Sequence, residues 1–479
     1  MREAAANLLT SRLASAGFSP LTRADRIYAL DHLGLPEGFQ PSRASAIKLA
    51  ETLDADAIIV GSYTLAGGDM VAEGQVVDVP RLSMSQPVTA RGQLADMIQI
   101  FDTLAWELTR QLDPKFSVAE QTFVAAGRNL RLDAFEQYIR GITEPDQAER
   151  VRHLQQAVKL SPDFSPAWMA LGREDYDSQQ YDQAAQAFAR VSPNGSDALQ
   201  AGFYRGLSLL FSGDYPGAEK SFAEVARSLP LASVVNNQGV AISRQGKDAT
   251  SLYVQAAADD PSDPDYHFNL AVSLKRHGNA AAAINEMAQC LKLRPNDSEA
   301  QAVEEAWKHP EAGAEGDTAS GADPLERIVR TFDAAAFRQA AQMLDQMDAA
   351  RMAALTPPER AQKLCAQAGG YLDRGLLLEA ERLYRAAAAA DPRSAQAQVG
   401  LARVRQRSGD LEGARRQAQA ALDLGPSAAA DVVLADLDLA ANHLKEAEGE
   451  AQSALKLEPA NAGAQRVLGQ ILAKTGQSK

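Results

Sequence analysis

Two cysteines, Cys290 and Cys365, are too few for a disulfide framework. Both fall on helix faces expected to be covered, so each reads as a buried thiol rather than a bridge or a nucleophile. No apolar run reaches membrane-spanning length, and Met1-Arg2-Glu3 opens no signal peptide. Aromatics make up only 6% of the chain; alanine is abundant instead, which suits helices that approach closely through small side chains. Positive charge is short as well, with 48 Lys and Arg against 62 Asp and Glu, a net of −14 that argues against a general nucleic-acid binder. From Leu325 onward 20 basic residues meet 19 acidic ones, which leaves −15 for residues 1–324.

Catalytic patterns are missing too. The six histidines (His32, His153, His267, His277, His309 and His443) form no His-Glu-x-x-His pattern, and no Gly-x-Ser-x-Gly elbow occurs. The stretch Gly61 to Gly68 lacks the Gly-Lys-Ser/Thr ending of a phosphate loop and precedes a strand, so it reads as a hairpin turn. The expectation is a non-enzyme with no cofactor and no metal site.

What is present is a period. Gly375, Ala380 and Pro392 recur 34 residues later as Gly409, Ala414 and Pro426. Gly375 closes one short helix, Ala380 lets a second helix lie close against it, and Pro392 ends that second helix. Neither helix buries its apolar stripe alone, so copies must stack. At these residues, and again at Trp168, Leu171, Gly172, Tyr181, Ala184 and Phe188, the chain resembles the tetratricopeptide repeat family. The fold class expected is therefore mainly α: a solenoid of about nine repeats in two arrays, preceded by a small α/β domain.

Four regions follow. Residues 1–122 carry three helix-like stripes, then the strand signal Ala57-Ile58-Ile59-Val60 running to Leu65. A turn at Gly67-Gly68-Asp69 leads to a partner strand to Val79 and a third to about Thr89, before an amphipathic helix from Leu94 to Leu112. This order is similar to the amino-terminal α/β domain of TolB-like and FlgO-like bacterial proteins. That resemblance implies a strand ahead of the first helix, so the given start is expected to be truncated, with a strand and a leader upstream. Residues 123–308 form the first array, and 309–324 read as a linker rich in Gly and Ala. Residues 325–479 form the second array, with helices resuming at Leu325 through Ile328, Phe332 and Phe337, and a last helix that caps the stack.

The repeat resemblance implies a concave groove lined by the first helix of each repeat, where a protein or peptide partner lies. Carried over by position, the groove takes Phe203, Leu207, Phe211, Asn237, Arg244, Asn269, Lys275 and Arg276, then Arg403 and Arg407. Phe203, Leu207 and Phe211 share one helix face and suit either packing on the preceding repeat or a pocket for a partner side chain. Asn237 and Asn269 fall where the family holds a ligand's main chain, since an amide both donates and accepts; bonding to the neighbouring helix is the other reading. For Arg403 and Arg407 the alternatives are recognition of an acidic segment and an ion pair from Arg403 to Asp436 in the next repeat. The function expected is a protein-interaction scaffold. The second reading is a sensory or regulatory subunit whose amino-terminal module binds a ligand and whose repeats relay it. As given, the chain suits the cytoplasm; a lost start would bring in the periplasm or envelope.

Overall fold

The computed structural model describes the chain except for residues 37, 38, 40, 41, 128, 129, 309–323 and 476–479. The linker expected at 309–324 therefore lies almost wholly outside the described residues. The chain falls into two compact units, Asp133–Asp348 and the pair Met1–Leu132 with Ala349–Lys479.

In the second of these, helices Arg2–Ser15, Arg23–His32 and Arg43–Thr52 precede strands β1 (Ala57–Ala66), β2 (Asp69–Asp78), β3 (Ser83–Met84) and β4 (Val88–Gln93). Gly67 and Gly68 both have positive φ (62° and 94°), the backbone a two-residue hairpin needs to match the twist of its strands. The turn fixes the register, with Ala66 opposite Asp69 and Ala57 opposite Asp78. The expected third strand is split: β3 pairs with the end of β2, and β4 pairs with its start. Helix Met97–Leu112 covers one face of β2, where Met70, Ala72 and Val76 are buried. A Cβ on Gly74 would already meet Leu108 at 3.1 Å, so the helix sits as close as the strand allows.

Repeats in the same unit pair Pro357–Asp373 with Leu377–Ala390, Ala395–Ser408 with Leu411–Leu424, and Ala428–Ala440 with Leu444–Leu457, ending on Ala462–Thr475. The amino-terminal module packs on these helices. Ala16, Ala105, Val118 and Phe123 share one apolar core with Leu378. Arg12 reaches Asp102 at 3.0 Å, both side chains buried, and its guanidinium lies 4.2 Å over the Phe123 ring. The Ala119 N–H donates to the fully buried Glu381 carboxylate at 3.1 Å, and Glu381 also accepts from Arg385 (2.9 Å) and Arg405 (3.0 Å).

In the other unit five helix pairs run from Leu132–Thr143 with Gln147–Leu160 to Pro264–Arg276 with Ala280–Leu293, followed by Ser298–Lys308. A glycine on the first helix lets an aromatic ring of the second sit against its backbone. A Cβ on Gly172 would come within 2.7 Å of Phe188, one on Gly206 within 2.7 Å of Phe222, and one on Gly239 within 2.8 Å of Tyr253. That small-on-large contact, repeated along the chain, sets the step of the stack.

One expectation is corrected here. Leu325 to Phe332, expected to open the second array as a helix, has no helical structure. The helix begins at Ala334, where the Asp333 carboxylate accepts from the N–H groups of Ala335 and Ala336 at 2.9 Å each. The β-branched run Ile328-Val329 lies ahead of that cap, outside any helix or strand.

Candidate functional site

The inner wall of the array over residues 133–308 is built from the first helices of successive repeats. Helix Ala232–Ser243 carries Asn236 and Asn237, and helix Pro264–Arg276 carries Asn269; all three amides are fully buried. A buried amide must find partners for both its donor and its acceptor. These find them on the extended backbone of residues 324–332. Asn237 donates to the Val329 carbonyl at 2.8 Å and accepts from the Val329 N–H at 2.9 Å. Asn269 does the same two residues earlier, donating to the Arg327 carbonyl at 2.8 Å and accepting from the Arg327 N–H at 2.7 Å. Asn236 adds a donor to the Arg327 carbonyl at 3.1 Å and links the other two, accepting from Asn269 at 2.8 Å and donating to Asn237 at 3.3 Å. The two-residue spacing is that of a strand, in which alternate residues face the same way.

Charges complete the grip. Glu326, its side chain 1% exposed, is held by Arg244 Nε at 3.0 Å and by Arg276 and the Ser243 hydroxyl. Burial pushes the Glu326 carboxyl up, but hydrogen bonds from Ser243 and its own backbone, with the Arg276 charge, more than offset this and hold it below the usual glutamate value. Arg276 also donates to the Pro324 carbonyl at 2.9 Å. Arg327 points to the opposite sign: it bonds Asp265 (2.9 Å), Asp297 (2.6 Å) and Glu299 (2.9 Å), and its guanidinium lies 3.8 Å over the Phe268 ring. Burial disfavours that guanidinium, yet its bonds to Asp297, Asp265 and Glu299 outweigh this and raise its pKa further.

The aromatic end lies one repeat back. Phe332 meets Phe203 edge to face at 5.7 Å and stacks on Phe337 at 4.1 Å, while its N–H donates to the Tyr204 hydroxyl at 3.4 Å. Phe203 also contacts Phe222 of its own repeat at 5.9 Å, and Leu207 is fully buried in the same core. Phe211 lies against Tyr181 at 5.1 Å, with the Arg330 guanidinium 5.1 Å over its ring. So Phe203, Leu207, Phe211, Asn237, Arg244, Asn269 and Arg276 come together around one segment. Lys275 does not join them; its ammonium lies 5.6 Å over the Trp307 ring.

Arg403 and Arg407 are exposed on helix Ala395–Ser408. Arg407 donates to the Leu372 carbonyl. The ion pair expected between Arg403 and Asp436 is absent, because Asp436 accepts from Arg466 at 2.7 and 2.8 Å.

Sequence reasoning missed residues 324–332 as the occupant. One signal was available on the wall: Asn237 and Arg244 recur as Asn269 and Arg276, the same two types seven residues apart in successive repeats. Seven residues are two helical turns, so each pair shares a face.

A family model described as tetratricopeptide repeat matches residues 169–233, 243–298, 365–429 and 432–478. The chain carries tetratricopeptide repeats (TPRs). Three solved TPR-like structures illustrate the similarity. YrrB, described as a TPR protein with an unusual peptide-binding site, is 13% identical over 42% of this chain and 99% of its own, with a TM-score of 0.32. MamA from Desulfovibrio magneticus RS-1 is 18% identical over 38% of this chain and 100% of its own (TM-score 0.30). TTC0263 from Thermus thermophilus is 15% identical over 36% and 98% (TM-score 0.27). No curated protein matches the chain. Among the described residues no helix is long and apolar enough to cross a membrane, and no group of three or more His, Cys, Asp or Glu could hold a metal ion. Both cysteines are buried free thiols; burial pushes Cys290 up to about 11 and raises Cys365.

Proposed function

We propose that this TPR protein is a non-enzymatic interaction scaffold whose first array binds an extended polypeptide along its inner wall. The observation that carries this reading is the pair of amide clamps. Asn237 and Asn269 each take the N–H and the carbonyl of one residue in an extended chain, which grips any sequence by its backbone. The clamps are preformed on packed helices, so the wall needs no reordering to bind.

The test uses the full chain with its own segment weakened by E326A/R327A/F332A. Random 12-residue peptides are selected on it, then measured against the same protein carrying N237A/N269A in addition. Selected peptides are expected to lose at least tenfold in affinity on the second protein. Failure to select any peptide, or affinity indifferent to both asparagines, overturns the reading.

A second reading draws on the amino-terminal module, whose helix-helix-helix-hairpin-strand-helix order underlies its resemblance to TolB-like and FlgO-like domains. An open depression of about 730 Å³ lies there, lined by Arg23, Ala24, Ile27, Tyr28, Leu30, Asp31, Leu35 and Pro36. In this reading a small ligand bound there is relayed through the repeats. Capture of a partner that requires both residues 1–122 and a small molecule would favour it over the scaffold.

A further inference from the structure

We propose that residues 324–332 are a resident stand-in for the true ligand: the first-array groove takes, in trans, an extended peptide of the pattern Glu-Arg-Ile-Val-Arg-x-Phe, and this chain's own copy must leave before it can. The proposal rests on the scaffold reading above and adds to it the sequence that is read and the state in which the groove is kept.

Three observations lead there. First, among the hydrogen bonds described, the backbone of 324–332 is met by side chains of the wall, not by a strand or helix of its own. The Arg327 and Val329 N–H and carbonyl groups all end on asparagine amides, and the Pro324 carbonyl ends on Arg276. A segment integral to a fold normally has its main chain satisfied by regular structure; one satisfied by side-chain amides is held as a bound peptide is held. Second, the side chains that face the wall are matched by charge and shape. Glu326 meets two arginines, Arg327 meets three carboxylates, and Phe332 meets Phe203. Two adjacent ion pairs of opposite sense are a register lock, since a shift of one residue would set like charges together. Third, the positions differ in how they meet the wall: Ile328 packs on the array core and the Arg330 guanidinium lies over Phe211, while Leu325 is 59% exposed and Thr331 is exposed. The positions of Leu325 and Thr331 are free to vary in a ligand, which defines the pattern.

The segment is followed directly by helix Ala334–Ala353, whose Phe337 enters the same core. It is therefore tethered beside its site, and a ligand in trans competes against a high local concentration. That keeps the groove closed to chance peptides and open to one that matches the whole pattern.

The test is made on the full chain with the synthetic peptide Pro324–Asp333 as probe. With the unmodified protein, excess isotope-labelled peptide is expected to speed hydrogen exchange at the protein's own 324–332 amides by at least tenfold. With the E326A/R327A/F332A protein, the peptide is expected to bind at least tenfold more tightly than to the unmodified one. Peptides carrying E326A or F332A are expected to lose most of that gain. Unchanged exchange at 324–332, with no gain in binding to the triple variant whose circular dichroism matches the parent, overturns the proposal. Should unrelated peptides be selected on the triple variant while this one fails, the stand-in idea falls and the scaffold reading survives.

Discussion

Each of the two arrays holds another part of the same chain, and they do it with different chemistry. The array over residues 357–475 is joined to the amino-terminal module by helix-on-helix burial: Phe123, Val118 and Ala16 close on Leu378, and one buried carboxylate, Glu381, takes the Ala119 N–H together with two arginines. The array over residues 132–308 holds residues 324–332 by paired amides and matched charges, with little of the segment's own secondary structure involved. Apolar burial between helices is non-directional and lasting; it makes one fold out of two pieces. A main chain read by side-chain amides is directional and can be handed over to another main chain of the same pattern. The repeats thus serve as a wall in one case and as a reading frame in the other.

The contrast can be broken most forcefully at Glu381. Glu381→Ala leaves the Ala119 N–H without its carboxylate acceptor and removes charged hydrogen bonds from Arg385 and from Arg405, which keeps Asp410 at 2.8 Å; together these losses should cost about 3–5 kcal/mol. The unit formed by residues 1–132 and 349–479 should then melt earlier and more broadly in a calorimetric scan, with the rest unaffected. A melt like that of the parent would mean the module's attachment does not depend on this carboxylate.

Asn237→Ala with Asn269→Ala is next. Each removes a donor and an acceptor from a buried main-chain contact, at about 1–3 kcal/mol apiece. Exchange at the Arg327 and Val329 amides should rise by tenfold or more while the helices around them keep their protection. Equal loosening of helices and segment would show that the segment is part of the fold.

Acid sharpens the comparison further. Glu326 titrates below its usual value, so its contribution is full above about pH 4.5, the ordinary glutamate range, and is lost as the pH falls through the lower bound-state value. The groups facing it are Arg244, Arg276, Ser243 and, in its electrostatic neighbourhood, Tyr253; among these only Glu326 changes charge in that window. Segment 324–332 should loosen below about pH 4.5 in exchange experiments before the helices of its array do. The smallest effect belongs to Arg403→Ala: an exposed side chain whose expected carboxylate is taken by Arg466 should change stability by less than about 0.5 kcal/mol on denaturant titration.

The period of the chain was plain in its residues because it is made of local facts: a glycine where two helices touch, a proline where one ends, an aromatic where the next must fill space. The hairpin at Gly67-Gly68 was plain for the same reason. The wall residues Asn237, Arg244, Asn269 and Arg276 were reachable because they repeat with the repeats. What they hold was not. Residues 324–332 have no period of their own, since their conformation is imposed by side chains from helices about 60 to 90 positions earlier, and an apolar Ile-Val run followed by Phe332 and Phe337 also fits a helix. The partners of Glu381 and Asp436 were hidden by distance of a different kind. Glu381 is met by a backbone N–H 262 residues away, and Asp436 is claimed by Arg466 of the last helix, Ala462–Thr475, from the repeat after its own rather than the one before.

The chain of amides from Asn269 through Asn236 to Asn237 has a consequence for polarity. Because each amide in it both gives and receives, none can turn over alone, and the oxygen and nitrogen edges offered to the strand are pinned. A polypeptide laid in from the other end would bring its carbonyls where its N–H groups are wanted. The groove therefore tells head from tail before any side chain is consulted, and a reversed sequence with identical composition should be turned away.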